Sequence, residues 1–116
     1  MTRIGIPIFQ NRVSPVLDSC QHMLLIDVEN GAEVNRQMVY LGDIPLAERF
    51  DFIKNLGIIT VICGGVSEIF ANMLTGSKVC LCNGIAGDVD EVITAFLDDR
   101  IDSPRFYMPG FDPNVS

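Results

Sequence analysis

Cysteines near glycines follow two apolar segments in the second half of the chain. Cys63 directly precedes Gly64, and Cys80 and Cys82 come shortly before Gly84. Thiolates are soft ligands suited to iron-sulfur clusters, copper(I) or zinc. In an extended strand Cys80 and Cys82 would share one face, about 7 Å apart at a rise of roughly 3.3 Å per residue. This spacing favours contact with a multinuclear cluster over chelation of one ion.

The glycines suggest a second kind of ligand contact. Gly64 and Gly65 precede a helix predicted to begin at Ser67, and Gly84 precedes a helix predicted to be capped by Asp88. Free backbone amides at such turns bind anions, and a cluster that carries sulfides is anionic. Tight turns between a strand and a helix also use glycine for conformational reasons alone, so both interpretations stay open.

Cys20 and His22 are further candidate ligands in the loop that enters the second predicted strand. His22 is the only histidine, so any imidazole ligand must come from it. The candidate metal ligands are therefore Cys20, His22, Cys63 and Cys82. The alternative is that His22 is structural and that cysteines such as Cys63 and Cys80 are small buried hydrophobic residues.

Composition excludes several classes of protein. The 116 residues are 48% hydrophobic and 20% charged, which indicates one folded domain, and no apolar run approaches the roughly 20 residues of a membrane span. The net charge of -7 with eight lysines and arginines argues against nucleic-acid binding. Residues 1–9 lack the pattern of a signal peptide, so we expect a cytoplasmic protein with reduced cysteines.

Catalysis has little support in the sequence. Nucleophilic hydrolysis needs a base positioned beside a serine or cysteine, and no such motif surrounds His22. We therefore expect a protein that is not an enzyme. A small hydrolase or transferase that binds an anionic substrate at the glycine turns is the weakest alternative.

The elements that must position these residues change in type along the chain. A hairpin turn at Asn30-Gly31 and later alternation of strands with helices predict a mixed five-stranded sheet with helices on its faces. Pro7 in the first strand indicates an edge or an irregular end, and Asp43 is expected to cap the first helix. The predicted strands are Arg3–Phe9, His22–Val28, Glu33–Leu41, Ile58–Cys63 and Val79–Cys82.

Several short segments, taken in order, resemble the dinitrogenase iron-molybdenum cofactor biosynthesis family, which includes NifX, NafY and the C-terminal part of NifB. These segments are Ile4–Pro7, Val13–Pro15, the hairpin with Asp27 and Asn30-Gly31, Val61–Gly65 and Asn83–Asp88. The resemblance covers residues 4–100. It implies that residues 1–100 form a three-layer α/β/α ribonuclease-H-like domain that binds or carries iron-sulfur or iron-molybdenum clusters without catalysis.

The chain departs from this family after Ser14-Pro15. The family often continues with histidine, phenylalanine and glycine, whereas Val16, Leu17 and Asp18 stand here. Ribonuclease-H-like nucleases usually carry a metal-binding carboxylate on the first strand, and residues 3–10 contain none, which excludes a nuclease.

The thiols and the resemblance together predict a cluster carrier that exchanges its cargo with proteins of metallocluster biosynthesis or with acceptor proteins. The predicted site uses Cys63, Cys80 and Cys82 as thiolates and the amides of Gly64, Gly65 and Gly84 as anion donors, with Cys20 and His22 opposite. The alternative is a metal-free protein-interaction module of the same fold. In that case the irregular tail of residues 101–116, with its aromatic segment Phe106–Phe111, would contact the partner; the alternative is that its aromatic residues pack back on the domain.

Overall fold

A computed structural model describes residues 2–108. Within this range the chain forms six strands and three α-helices. The strands are β1 (Thr2–Phe9), β2 (Arg12–Val13), β3 (His22–Glu29), β4 (Ala32–Tyr40), β5 (Thr60–Ile62) and β6 (Cys80–Cys82). The helices are α1 (Leu46–Lys54), α2 (Glu68–Gly76) and α3 (Val89–Leu97), and a 3₁₀ turn follows at Pro104–Phe106.

The strands form one mixed sheet in the order β4-β3-β1-β5-β6, and β2 pairs with β1 beside this path. Strands β3 and β4 are antiparallel to their neighbours, whereas β1, β5 and β6 run parallel to one another. The predicted mixed α/β architecture is therefore correct, but the predicted number of five strands is too small. The additional strand, β2, has only two residues, which is too short for a periodic sequence signal.

Pro7 lies in the central strand and not at an edge. β1 pairs with β5 only through Ile4 and Gly5, while its pairing with β3 continues past Pro7. The carbonyl oxygen of Pro7 accepts a bond from Ser14 N at 2.8 Å on the side where the β5 ladder has ended. The missing N–H therefore removes no bond to β5, and the chain segment that follows β2 occupies this position.

The helices cover the two faces of the sheet unequally. Helices α1 and α2 pack on one face, which we call the α1/α2 face, and α3 packs on the other, the α3 face. Buried residues on the α1/α2 face include Leu25, Val61, Ile53, Phe70 and Leu74. Those on the α3 face include Ile6, Ile26, Ile62, Val92 and Ile93.

Two of the three predicted helix starts are confirmed. The Ser67 hydroxyl accepts a bond from Phe70 N at 3.2 Å, and the Asp88 carboxylate accepts bonds from the amides of Asp90 and Glu91. Asp43 does not cap α1, because this helix begins at Leu46 with Pro45 in the N-cap position and no side-chain cap.

The start of the predicted tail belongs to the core on the α3 face. Phe106 is 5% exposed, and Ile85 forms an antiparallel bridge with Tyr107. Phe111, the end of the predicted contact segment, lies outside the described residues. Among residues 2–108, no helix combines the length and the apolar character needed to cross a membrane.

Candidate functional site

Cys63 and Cys82 are neighbours at the carboxyl ends of two parallel strands, as their positions in the sequence predict. The amide of Cys63 donates to the carbonyl oxygen of Cys82 at 2.9 Å, and Ile85 N donates to the Cys63 carbonyl oxygen at 3.0 Å. The ladder between β5 and β6 pairs Ile62 with Cys82, so Cys63 stands one residue beyond that pair. Side chains alternate between faces along a strand, and this offset decides where the two thiols point.

The two side chains consequently lie on opposite faces of the sheet. Cys63 is 0% exposed and packs in the core of the α1/α2 face, whereas Cys82 is half-buried against the α3 face. Burial raises the pKa of Cys63 to about 12, with further contributions from Cys82, Asp18 and Cys20. The Cys63 thiol is therefore neutral at pH 7, and its complete burial keeps it from a metal in this conformation.

Cys20 lies on the same face of the sheet as Cys63, and its thiol is likewise neutral at pH 7. It is buried in the core of the α1/α2 face, and burial raises its pKa to about 11 against an opposing effect of the Arg49 cation. The expectation that Cys63 is a small buried hydrophobic residue agrees with this environment, and Cys20 behaves in the same way.

The glycine turn at Gly64-Gly65 allows two backbone segments to approach closely. A Cβ atom on Gly64 would lie 2.8 Å from the carbonyl oxygens of Ser14 and of Pro15. The amide of Gly65 donates to Pro15 O at 2.6 Å, and the amide of Gly84 donates to Gly64 O at 2.8 Å. The amides of Gly65 and Gly84 therefore do not serve as anion donors here, because backbone carbonyls already accept from them.

Asp18, which departs from the family pattern, fastens the preceding loop to α2. Its carboxylate accepts bonds from Ser67 N at 2.9 Å and from Ser67 Oγ at 2.6 Å. The amide of Leu17 donates to Gly65 O at 2.8 Å. Residues 14–18, which we call the docked loop, thus lie against the glycine turn. Through Asp18 they also bind the N-terminus of α2. Sequence reasoning missed this role, although an acidic residue after Ser-Pro was a visible departure.

Arg49 is a second functional candidate that sequence reasoning missed. It is 7% exposed, and its guanidinium donates to the carbonyl oxygens of Asp18, Cys20, Leu41 and Ile44. Within residues 2–108 it has no carboxylate partner. This buried positive charge fixes the end of the docked loop and favours an anion nearby.

His22 and Cys20 line a small cavity. The cavity has a volume of about 240 Å³ and is lined by Ile8, Phe9, Ser14, Ser19, Cys20, Gln21 and His22. The His22 side chain is exposed at the start of β3, and its ring centroid lies 5.3 Å from that of Tyr40. Cys20 and His22, two residues apart in the chain, therefore line one cavity.

The four candidate metal ligands do not form one site. His22 begins β3 and Cys82 ends β6, with β1 and β5 between them. Three strand spacings of about 4.8 Å place these two positions roughly 14 Å apart. Within the described residues, no group of three or more His, Cys, Asp or Glu side chains could hold a metal ion.

Cys80 and Cys82 are the accessible thiols of the chain. Cys80 is exposed and Cys82 is half-buried on the outer strand β6. The buried interpretation of Cys80 is thus wrong, because this strand has a neighbour on one side only within residues 2–108. Burial raises the pKa of Cys82, and the neighbouring Cys80 raises it further.

Comparison with known proteins gives matches at the level of structure only. No protein-family model matches the sequence, and a search of curated protein sequences gave no match. Among solved structures, the chain is similar to PH0822, with 21% identity and a TM-score of 0.81 over 89% of this chain and 96% of that one.

Two further structures carry names that bear on function. One is the apo form of the orange protein from Desulfovibrio gigas, with 16% identity and a TM-score of 0.70 over 86% of this chain and 90% of that one. The other is a Thermotoga protein provisionally described as a NifB protein, with 22% identity and a TM-score of 0.68 over the same shares. At these identities the comparisons establish that this chain has the fold of those small α/β proteins.

Proposed function

We propose that this protein is a small, non-catalytic binding or carrier protein for an iron-sulfur or iron-molybdenum type cluster. It would act in the biosynthesis or transfer of metalloclusters, as members of the family that includes NifX and NafY are expected to do. The observation that carries this proposal is the shared fold with the NifB-described protein and with the orange protein over 86% of this chain.

The arrangement of the sheet supports the finer fold assignment. A central β1 is flanked by the antiparallel β3 and β4 on one side and by the parallel β5 and β6 on the other. With helices on both faces, this order fits a three-layer ribonuclease-H-like domain. The cluster is cargo in this proposal, and its binding needs accessible soft ligands and positive charge.

The described residues offer these ligands in two places. Cys80 and Cys82 present an accessible pair of thiols on β6. His22 is exposed at the cavity next to the buried Arg49 cation, and the buried Cys20 in the same lining would join it only after the cavity has opened. Cys63 would join a ligand set only after the core around it has opened, because this thiol is fully buried.

Metal and sulfide analysis tests this function directly. The protein is purified without oxygen from cells supplied with iron and molybdenum, and iron, molybdenum, copper, zinc and acid-labile sulfide are measured per chain. We expect metal together with sulfide, and loss of both in the double variant Cys80→Ser/Cys82→Ser. His22→Gln tests the second place in the same assay, and Cys63→Ser is the buried-thiol control. Metal without sulfide, or no uptake even after reconstitution with ferrous iron and sulfide, would contradict the proposal.

A metal-free interaction module remains the second candidate, because an apolar groove lies between α1 and α2. The groove has a volume of about 270 Å³, and Ile69 at its rim is 75% exposed. It is lined by Asp18, Leu46, Ala47, Phe50, Ser67, Ile69, Phe70 and Met73. If this groove binds a partner protein, Ile69→Ser should weaken co-purification of that partner, and Cys80→Ser/Cys82→Ser should leave it unchanged.

A further inference from the structure

The outer edge of β6 is open where its two cysteines lie. β6 forms a parallel ladder with β5 on one side. On its other side the described chain returns only beyond the strand, where Met108 N donates to Gly84 O and Ala86 N donates to Phe106 O. Within residues 2–108, no strand pairs with the outer edge of Cys80–Cys82. An open strand edge presents unpaired N–H and C=O groups that readily pair with another strand.

One chain supplies too few ligands for a cluster at this edge. Cys80 and Cys82 lie on the same face of β6, and the described residues contain no third Cys, His, Asp or Glu side chain that completes a metal site with them. Iron-sulfur clusters are commonly held by four cysteine thiolates. A site built on these two thiols is therefore incomplete without further ligands from outside the described chain.

We propose that two copies of this chain pair through antiparallel β6 strands, and that Cys80 and Cys82 of both copies hold one iron-sulfur cluster between them. This inference rests on the proposed function, and it identifies a second copy of the chain as the source of the other two thiol ligands. With Leu81 at the two-fold axis, Cys80 of one copy stands opposite the partner's Cys82. Directly opposed residues have Cβ atoms about 4.5–5.5 Å apart, and all four thiols share one face of the joined sheet.

The spacing of the four thiols favours a multinuclear centre. Cross-strand neighbours lie about 5 Å apart, and neighbours along a strand lie about 7 Å apart. A single zinc ion with bonds of about 2.3 Å to sulfur would need all four side chains to turn their sulfur atoms to within about 4.6 Å of one another. A cluster with several irons spans the larger distance, and each thiol loses its proton when it binds.

Charge supports a second copy as the occupant of this edge. Each chain has a net charge of -7, so two copies repel one another over most of their surface. Residues 77–87 contain no aspartate or glutamate and include Lys78. The strand that forms this edge and its flanking turns therefore add no acidic side chain to a contact between two copies.

Mass and cluster content measured together test this inference. The full chain is reconstituted anaerobically with ferrous iron and sulfide, and its mass in solution is determined by light scattering after size-exclusion chromatography. We expect the apo protein as a monomer and the loaded protein as a dimer with one cluster per two chains. Removal of iron with a chelator should restore the monomer. Cys80→Ser and Cys82→Ser should each abolish both the cluster and the dimer, whereas Cys63→Ser should retain both.

The outcomes separate this inference from the function on which it rests. A cluster bound at one per chain on a monomer would overturn the shared site and leave the carrier function standing. No cluster in a folded wild-type protein would overturn both. A cluster that survives in Cys80→Ser/Cys82→Ser but is lost in His22→Gln would overturn the shared site and move the cargo to the cavity of Cys20 and His22. A loaded monomer that becomes a dimer only after deletion of residues 109–116 would show that the chain's own end occupies the edge, and would also overturn the inference.

Discussion

Single residues decide where charge and reactivity lie in this protein. Arg49 is buried, and carbonyl oxygens from the docked loop and from the segment before α1 accept its hydrogen bonds. Cys20 and Cys63 are buried neutral thiols, whereas Cys80 is exposed. The residues with the largest structural role are therefore not the residues that a cargo can reach.

Replacing Arg49 should destabilise the fold far more than replacing an exposed arginine. Arg49→Met leaves buried carbonyl oxygens without donors, and each unsatisfied group costs about 1–3 kcal/mol. We expect the free energy of unfolding to fall by roughly 3 kcal/mol or more, because several carbonyl oxygens lose their donor at once. Arg36→Met is the control, because the exposed ion pairs of Arg36 with Glu33 and Asp90 are worth about 1 kcal/mol or less. Urea unfolding measures both, and equal losses would contradict this role of Arg49.

The buried thiols should make stability fall at alkaline pH. Burial raises the pKa of Cys63 to about 12, while an unfolded cysteine ionises near pH 8.5. Between these pH values the folded protein retains a thiol proton that the unfolded chain loses. The free energy of unfolding therefore decreases as pH rises, by about 1.4 kcal/mol per pH unit for each such thiol. Unfolding at pH 8 and pH 10 should show a smaller difference in Cys63→Ala than in the wild type. The same difference in both proteins would contradict the predicted environment.

At the scale of elements, the docked loop packs into the core that holds the buried thiols, because its Leu17 lies in the same cluster as Cys20 and Cys63. Gly64 and Gly65 admit its backbone, and Asp18 connects it to the first turn of α2 through Ser67. Because each of these contacts involves only the loop and the start of α2, single substitutions should loosen the loop without unfolding the sheet.

Gly64→Ala should destabilise the protein, because its Cβ would meet two backbone carbonyl oxygens at 2.8 Å. Overpacking against a well-packed backbone costs about 1–3 kcal/mol. Gly76→Ala serves as the control at the end of α2, where an added Cβ has no neighbour within 4 Å. That change should be neutral or stabilise by about 0.4–1 kcal/mol. Thermal unfolding of the two variants distinguishes them, and a neutral Gly64→Ala would show that the loop is less tightly docked.

Asp18→Ala should open the docked loop and expose Cys63. Loss of a carboxylate that accepts from the N-terminus of a helix costs about 1 kcal/mol, which corresponds to a roughly fivefold larger open population. A thiol reagent should therefore label Cys63 about five times faster under native conditions. Glu68→Gln, in the same helix turn, should leave the rate near that of the wild type. If both variants label at the wild-type rate, Asp18 does not control access.

At the scale of the whole molecule, the described chain after α3 belongs to the folded unit. Phe106 packs with residues of α3 on the α3 face, and the arginine next to it, Arg105, lies 4.8 Å from the centre of its ring. The core therefore extends beyond residue 100, where sequence reasoning ended the domain.

Phe106→Ala should destabilise the molecule as a core substitution does. A buried phenylalanine replaced by alanine costs about 3–5 kcal/mol through lost burial and the cavity that remains. Phe9→Ala is the matched control, since Phe9 is 64% exposed and surface substitutions usually change stability by less than about 0.5 kcal/mol. Chemical denaturation compares the two, and similar small effects would place Phe106 outside the cooperative unit.

Periodicity and turn residues predict most of this fold. The hairpin at Asn30-Gly31, the caps at Ser67 and Asp88 and the order of strands and helices all follow local rules. The faces of Cys63 and Cys82 could not be predicted, because they depend on the register of two parallel strands, and only long-range packing fixes that register.

The remaining elements of the candidate site also depend on distant contacts. The burial of Arg49 follows from carbonyl groups that lie up to 31 residues away in the chain. The accessible Cys80-Cys82 pair could be predicted as a same-face pair, but its exposure depends on the position of β6 at the outer side of the sheet.

Strands β1 and β5 separate at the centre of the sheet before Pro7, and we call this point of separation the fork. The β1–β5 ladder stops after Gly5, and the docked loop fills the gap, bonded to Pro7 O on one side and to Gly65 on the other. Opening of this fork breaks a few hydrogen bonds of the loop and leaves the longer β1–β3 ladder intact. We therefore expect local opening at this fork to leave both ladders of β1 in place and to free the loop backbone from Gly64, the neighbour of Cys63.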